Sequence, residues 1–295
     1  MANRHSHRFR AIAAERRVAA VPGPARASVV VPAHDEETSL VRCLASVLSD
    51  GVPLDIVVVT NGCTDRTADA ARSFPVHVLD MPTPDKAAAL NVGDSEVDVM
   101  PRLYIDADVQ LLPGSVSALV RALSGDLPRL AVPFRQFDLM AASWVVRAYY
   151  RAWQRLQEVR GDLLGCGVYA VNAAGRARWT TFPDGVADDY HVHTRFAPAE
   201  RLRVVGAVAV IRPPRTVRAL LNVRTRVVAG NVEHVAHHGR LVRGRPNWGV
   251  LLHDPAAIAA LPVYVLVTLI AKRRARAALT DGSIAWNRDA SGRAL

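Results

Sequence analysis

The sequence predicts an α/β fold: a doubly wound, mostly parallel sheet with helices on both faces, followed by a C-terminal helical extension. Three observations predict it. Short apolar, β-branched runs recur between residues 28 and 134, each the length of a buried strand. Segments with apolar residues at helical spacing lie between them. Polar residues gather just past the strand ends, at His34–Glu37, Asn61–Asp65 and Asp106–Asp108. Ligands bind at the carboxyl ends of strands in sheets of this class.

Taken in order, Ser28–Val31 is a β-branched run stopped by Pro32. Glu37–Leu48 sets Leu40, Val41, Leu44, Val47 and Leu48 on one helical face. Asp55–Val59 reads as a strand, Asp65–Ser73 as a helix and Val76–Leu79 as a third strand. A Pro-rich loop leads to a short helix, Lys86–Val92. Leu103–Ile105 is a strand, Pro113–Leu123 a helix and Leu130–Phe134 a further strand. After about residue 140 the texture changes to a long helix, Ala141–Val159, with Trp144, Tyr149, Tyr150 and Trp153. The turn Gly165-Cys166-Gly167 then leads to a strand, Val168–Val171, and to a loop with Asp184, Asp188 and Asp189. There is no internal repeat.

Composition narrows the class. Half of the 295 residues are hydrophobic and 22% are charged, which excludes a largely disordered or collagen-like chain. Cys43, Cys63 and Cys166 cannot build a disulfide framework and lack metal-site spacing, so a reducing, cytoplasmic compartment is expected. The net charge of +10 favours anionic partners, although arginine-rich usage beside abundant alanine also reflects genome composition. Residues 1–27 read as a basic mobile tail and 28–235 as the globular domain. Residues 236–295 form the extension, where Ala256–Ala271 is uncharged and flanked by basic clusters. Sixteen residues are few for a span, and basic flanks on both sides oppose one, which favours a buried or an in-plane interfacial helix over a membrane-spanning one.

Asp106-Ala107-Asp108 closes an apolar strand. Two carboxylates so placed repel one another unless a cation lies between them, and Mg2+ or Mn2+ bridging to a diphosphate supplies it. A simple helix cap explains Asp108 as well. Asn61-Gly62-Cys63-Thr64-Asp65 permits close backbone approach by a nucleotide, or is ordinary turn chemistry. Lys86 stands at a helix start, where a cation gains nothing from the helix dipole, so it points to a phosphate partner or to solvent.

In combination these elements resemble the family 2 glycosyltransferases of bacteria, whose fold is called GT-A. The ordered set is Pro32-Ala33-His34-Asp35-Glu36, the turn after the second strand, Lys86–Asn91 and the D-x-D at Asp106–Asp108. The resemblance covers residues 28 to about 235 and implies inverting transfer of a sugar from a nucleotide-diphosphate donor to an acceptor hydroxyl. It places Pro32, His34, Asp35, Glu36, Asn61, Asp65, Lys86 and Asp106 at the donor, with Asp35 where asparagine is usual. Thr60 stands where the family commonly has a base-contacting aspartate. Asp108, with Asp106, matches the motif that holds Mn2+ or Mg2+. Asp188-Asp189-Tyr190-His191-Val192-His193-Thr194-Arg195 follows the acidic pair and arginine spacing that carries the base, which implies Asp189 as base beside Asp188. Gly165, Cys166 and Gly167 match the acceptor side, and Arg224 and Arg226 loosely match a late diphosphate-contacting motif that lacks its tryptophan. His234, His237 and His238 read as surface residues.

Two other classes compete. A nucleotidyltransferase wants a Gly-rich basic loop after the first strand, and that loop is acidic here. A nucleic-acid-binding protein wants aromatics interleaved with a basic stripe, but aromatics make up 6% and the arginines scatter. No nucleic-acid partner is expected. The apolar helix between basic flanks is compatible with a lipid-linked acceptor and peripheral contact at the inner face of the cell membrane.

Overall fold

The computed structural model describes residues 27–280 apart from 161–162, 164, 185–187 and 239–245. The expected tail and residues 281–295 of the expected extension therefore lie outside the described residues, except that Ala27 already opens the first strand.

Eight strands form one sheet: β1 (Ala27–Ala33), β2 (Leu54–Asn61), β3 (His77–Met81), β4 (Arg102–Ile105), β5 (Gln110–Leu111), β6 (Leu130–Phe137), β7 (Val168–Val171) and β8 (Arg201–Ile211). Their order is β3-β2-β1-β4-β7-β6-β8-β5. β3, β2, β1 and β4 are parallel, as expected. The far half is mixed, because β7 lies antiparallel between β4 and β6, and β5 runs antiparallel to β8. β5 and β8 are additions to the expected strands. β8 carries Gly206 at φ 85 in its middle, and its burial alternates irregularly there, which breaks the period of two.

The helices are α1 (Glu37–Leu48), α2 (Thr67–Arg72), α3 (Lys86–Ser95), α4 (Ser115–Ala122), α5 (Trp144–Arg160) and α6 (Ala173–Arg176). They continue with α7 (Asp188–Thr194), α8 (Val217–His238), α9 (Gly249–Leu252), α10 (Pro255–Ala259) and α11 (Leu261–Thr280). α8 runs through the expected domain boundary at residue 235. The strand period divides the core. Val29 and Val31 face a layer with Leu40, Leu44, Val116 and Leu119 from α1 and α4. Val30 faces the opposite layer with Ala89 and Leu90 of α3, Tyr104 and Tyr169. A third cluster, containing Val146, Tyr149, Leu220 and Val267, joins α5, α8 and α11.

One expectation is corrected outright. The segment from Asp188 is not a loop but the helix α7. Its acidic first turn suits the positive end of a helix. Tyr190, His191, Val192 and His193 are all buried, so no amphipathic period announces it.

Candidate active site

The carboxyl ends of β1, β2 and β4 open onto a cavity of about 490 Å³, within the size range of small-molecule sites. Pro32 lines it from the end of β1, His34 and Glu36 from the loop that follows, and Asn61 from β2. Lys86 enters from the start of α3, Asp106 and Asp108 from the end of β4, and Asp188 and Asp189 from α7. Gly165, Gly167, Arg224 and Arg226 complete the expected set that meets there.

Asp35, Asp65 and Cys166 do not line the cavity. Asp35, at φ 49, turns its carboxylate to the backbone N–H of Thr64 at 2.7 Å. Burial pushes its pKa up, but the Thr64 N–H, His34 and further hydrogen bonds outweigh that and hold it below the usual range. Asp65 accepts from the N–H groups of Thr67 (2.9 Å) and Glu37 (3.2 Å), tying the second turn to the starts of α1 and α2. Cys166 is buried, its Sγ 3.2 Å from the carbonyl of Leu163, and burial raises the thiol to about 11. A buried thiol so raised suits packing rather than attack. Thr60 is likewise buried, donating to the Asp80 carboxylate at 2.8 Å.

Lys86 is the electrostatic centre. Its Nζ lies 2.8 Å from Asp106 Oδ1 and 2.8 Å from Asp188 Oδ1, joining the strand motif to α7. Asp85 caps α3 by accepting from Ala88 N, which leaves the lysine free to project from the first turn. Burial opposes its charge, yet the two carboxylates prevail and hold the ammonium above the ordinary lysine range. Asp106 is pushed up to about 6, by burial first, with Asp188 and Asp108 adding to it and Lys86 opposing. The backbone N–H of Asp106 donates to Gly167 O at 2.7 Å, so β7 fixes where the motif turns.

Asp189 is held at both oxygens. Oδ2 accepts from Gly165 N at 3.0 Å and Oδ1 from its neighbour Tyr190 N at 2.7 Å. Burial and the adjacent Asp188 raise its pKa above the usual carboxylate range, against the Gly165 N–H and Lys86. Tyr169 donates to Asp188 Oδ2 at 3.2 Å, and His193 bonds the Asp189 carbonyl through Nδ1 at 2.7 Å. Burial lowers His193 to about 4, so it is a neutral brace.

The donor set suits a hard divalent cation. Asp106 and Asp108 offer carboxylate oxygens, Asp108 is exposed to the cavity, and the Lys86 ammonium already stands as a cation against Asp106. His34, Asp35 and Cys63 also have potential ligand atoms within 4.8 Å of one another. That group is engaged otherwise: His34 Nδ1 meets Asn61 O at 2.5 Å, Asp35 meets Thr64, and Cys63 Sγ meets Ala33 O at 3.7 Å.

Sequence reasoning missed other lining residues. Tyr150 and Trp153 of α5 and Tyr264 of α11 give the cavity an aromatic wall, and Arg42 and Arg212 add cations. The aromatic run of α5 was a signal, but nothing local says which face meets the site. Arg224 lies over the Tyr149 ring, 5.8 Å from its centre. The side chains of His234, His237 and His238 lie outside the described residues.

Residues 28–180 match the family described as Glycosyl transferase family 2. The chain belongs to this family. A 4,4'-diaponeurosporenoate glycosyltransferase of Staphylococcus aureus strain MRSA252 is 31% identical over 165 residues, 52% of this chain and 41% of the relative. The strain USA300 protein of the same name is 31% identical over 91 residues, 29% of this chain and 24% of the relative. The chain thus spans less than half the length of these curated relatives. Family membership agrees with solved structures of similar fold. The mannosyltransferase PcManGT of Pyrobaculum calidifontis, in complex with GDP-Man and Mn2+, is similar with a TM-score of 0.56 at 21% identity. That match covers 94% of this chain and 85% of the other. Glucosyl-3-phosphoglycerate synthase of Mycobacterium tuberculosis, in complex with Mn2+ and UDP-glucose, gives 0.51 at 22% identity, covering 72% and 79%. The mixed α/β sheet with its C-terminal helices is therefore the fold of GT-A glycosyltransferases.

Proposed function

We propose that the chain transfers a sugar, with inversion, from a nucleotide-diphosphate donor to an acceptor hydroxyl. The observation that carries this reading is the Lys86 bridge between Asp106 and Asp188, which puts the D-x-D carboxylates and the α7 acids in one cavity. Pro32, His34, Glu36 and Asn61 line the nucleoside end. Asp106 and Asp108 would hold Mn2+ or Mg2+, which would supply positive charge to neutralise the diphosphate. Lys86, Arg224 and Arg226 add fixed positive charge for the leaving group.

The acceptor oxygen attacks the anomeric carbon as the bond from that carbon to the diphosphate oxygen breaks. The electron pair leaves with the diphosphate, and Asp189 takes the hydroxyl proton. Its raised pKa brings its basicity nearer to that demand, while the Gly165 and Tyr190 N–H groups fix its aim. Tyr150, Trp153 and Tyr264 wall the remaining space and suit an acceptor with an apolar body, such as a lipid-linked one. The three cysteines are free, in keeping with the reducing cytoplasm as the compartment.

Thermal shift with UDP, GDP, dTDP and CDP, each with and without Mn2+, tests the donor site. One diphosphate should raise the melting temperature in a metal-dependent way, and Asp108→Asn should abolish the rise. Asp189→Asn should keep that rise and lose about 10²–10⁴-fold in kcat. No shift with any diphosphate refutes the reading.

A further inference from the structure

We infer that α11 is a docking face for an anionic bilayer surface. At 100° per residue, Val265, Leu266, Leu269, Arg273 and Arg276 fall on one stripe of α11. The opposite stripe, Val267, Ala271 and Ala275, is buried and packs toward α5 and α8. Val265, Leu266 and Leu269 remain 49%, 61% and 54% exposed. A soluble face seldom carries so many large apolar side chains together.

Charge identifies the occupant. The apolar half of the stripe runs directly into Lys272, Arg273, Arg274 and Arg276, all exposed, and α11 contains no acidic residue. Apolar insertion beside a cationic cluster matches acyl chains beside anionic headgroups. A second copy fits worse. Side-by-side parallel pairing sets arginine against arginine, and antiparallel pairing sets arginine against leucine. No described helix is long and apolar enough to cross a membrane, so the contact is in the plane of the surface.

The face also lies close to the cavity. Tyr264, on the buried side of α11, lines the cavity wall, so one helix diameter, roughly 10–12 Å, separates the two. This delivery of a lipid-linked acceptor rests on the proposed function, whereas the docking itself does not.

The test is co-sedimentation of the full chain with phosphatidylcholine vesicles, with and without phosphatidylglycerol. Binding should need the anionic lipid and weaken with salt, and Arg273→Glu/Arg276→Glu should reduce it at least about tenfold. Leu266→Glu/Leu269→Glu should abolish it. Both double variants change exposed side chains, and an unchanged melting temperature establishes that they fold. Absence of vesicle binding, or binding that neither variant alters, overturns the inference. So does a concentration-dependent dimer that Leu266→Glu/Leu269→Glu dissolves. Vesicle binding without any diphosphate-induced thermal shift sinks the proposed function and leaves the docking face standing; the converse does the reverse.

Discussion

Asp106 shows how one residue carries two opposed demands. It is pushed up to about 6, chiefly by burial, so a proton competes for the oxygens that would hold a cation under the proposed function. Between its unfolded value of 3.8 and about 6, the folded chain binds more protons than the unfolded one. Its contribution to stability therefore falls as pH rises through that window. Cation binding needs the ionised form and runs the other way. Calorimetric titration with Mn2+ is expected to give affinity about tenfold weaker near pH 5 than near pH 7.5, with proton release on binding. A pH-independent affinity would remove Asp106 from the metal site. The Asp106–Asp108 spacing was plain in the sequence and the resemblance set Lys86 at the donor with Asp106, but the ion pair between them was not legible.

At the scale of elements, the turn into β7 positions the site. Gly167 has φ 62, and a Cβ there would lie 2.5 Å from Val109 Cγ2 and 3.2 Å from Asp106 Oδ2. Gly167→Ala is expected to cost about 1–3 kcal/mol in urea unfolding and to lower turnover by displacing Asp106. Gly114→Ala is the control: φ is 85, but nothing lies within 4 Å, so it should lose stability and keep turnover. Elements with a clean period were legible. α1 spans Glu37–Leu48 and β7 spans Val168–Val171, as their patterns indicate. α7 was not, because burial on every side erases the amphipathic signal, and β8 was not, because Gly206 interrupts its alternation.

At the scale of the whole molecule, a buried ionic network ties α3, β4 and α6 beneath the site. Asp94 accepts from Arg102 Nη1, from Tyr104 OH at 2.5 Å and from Arg176 Nε at 2.9 Å. Asp94 and Arg102 are 9% and 5% exposed. Burial pushes the Asp94 carboxyl up, but Arg176, Tyr104 and Arg102 outweigh it and hold it below the usual range. Asp94→Asn leaves two guanidinium groups without their counter-charge and should cost about 3–5 kcal/mol, read as a lower urea midpoint. An unchanged midpoint would mean the network is dispensable.

The sequence by itself determined the alternation of strands and helices through β4, the face that α1 buries through Leu40, Leu44 and Val47, and the identity of the polar residues at the strand ends. Those follow from short-range sterics and periodicity, which act within a few residues. Tertiary structure alone decided that Lys86 meets Asp188, that β7 enters antiparallel beside β4, and that Asp35 and Asp65 turn away from the cavity. It also decided that α5 and α11 bring their aromatics to the cavity wall. These contacts join segments far apart in the chain, and their geometry is set by strand pairing and crossover packing rather than by any local pattern.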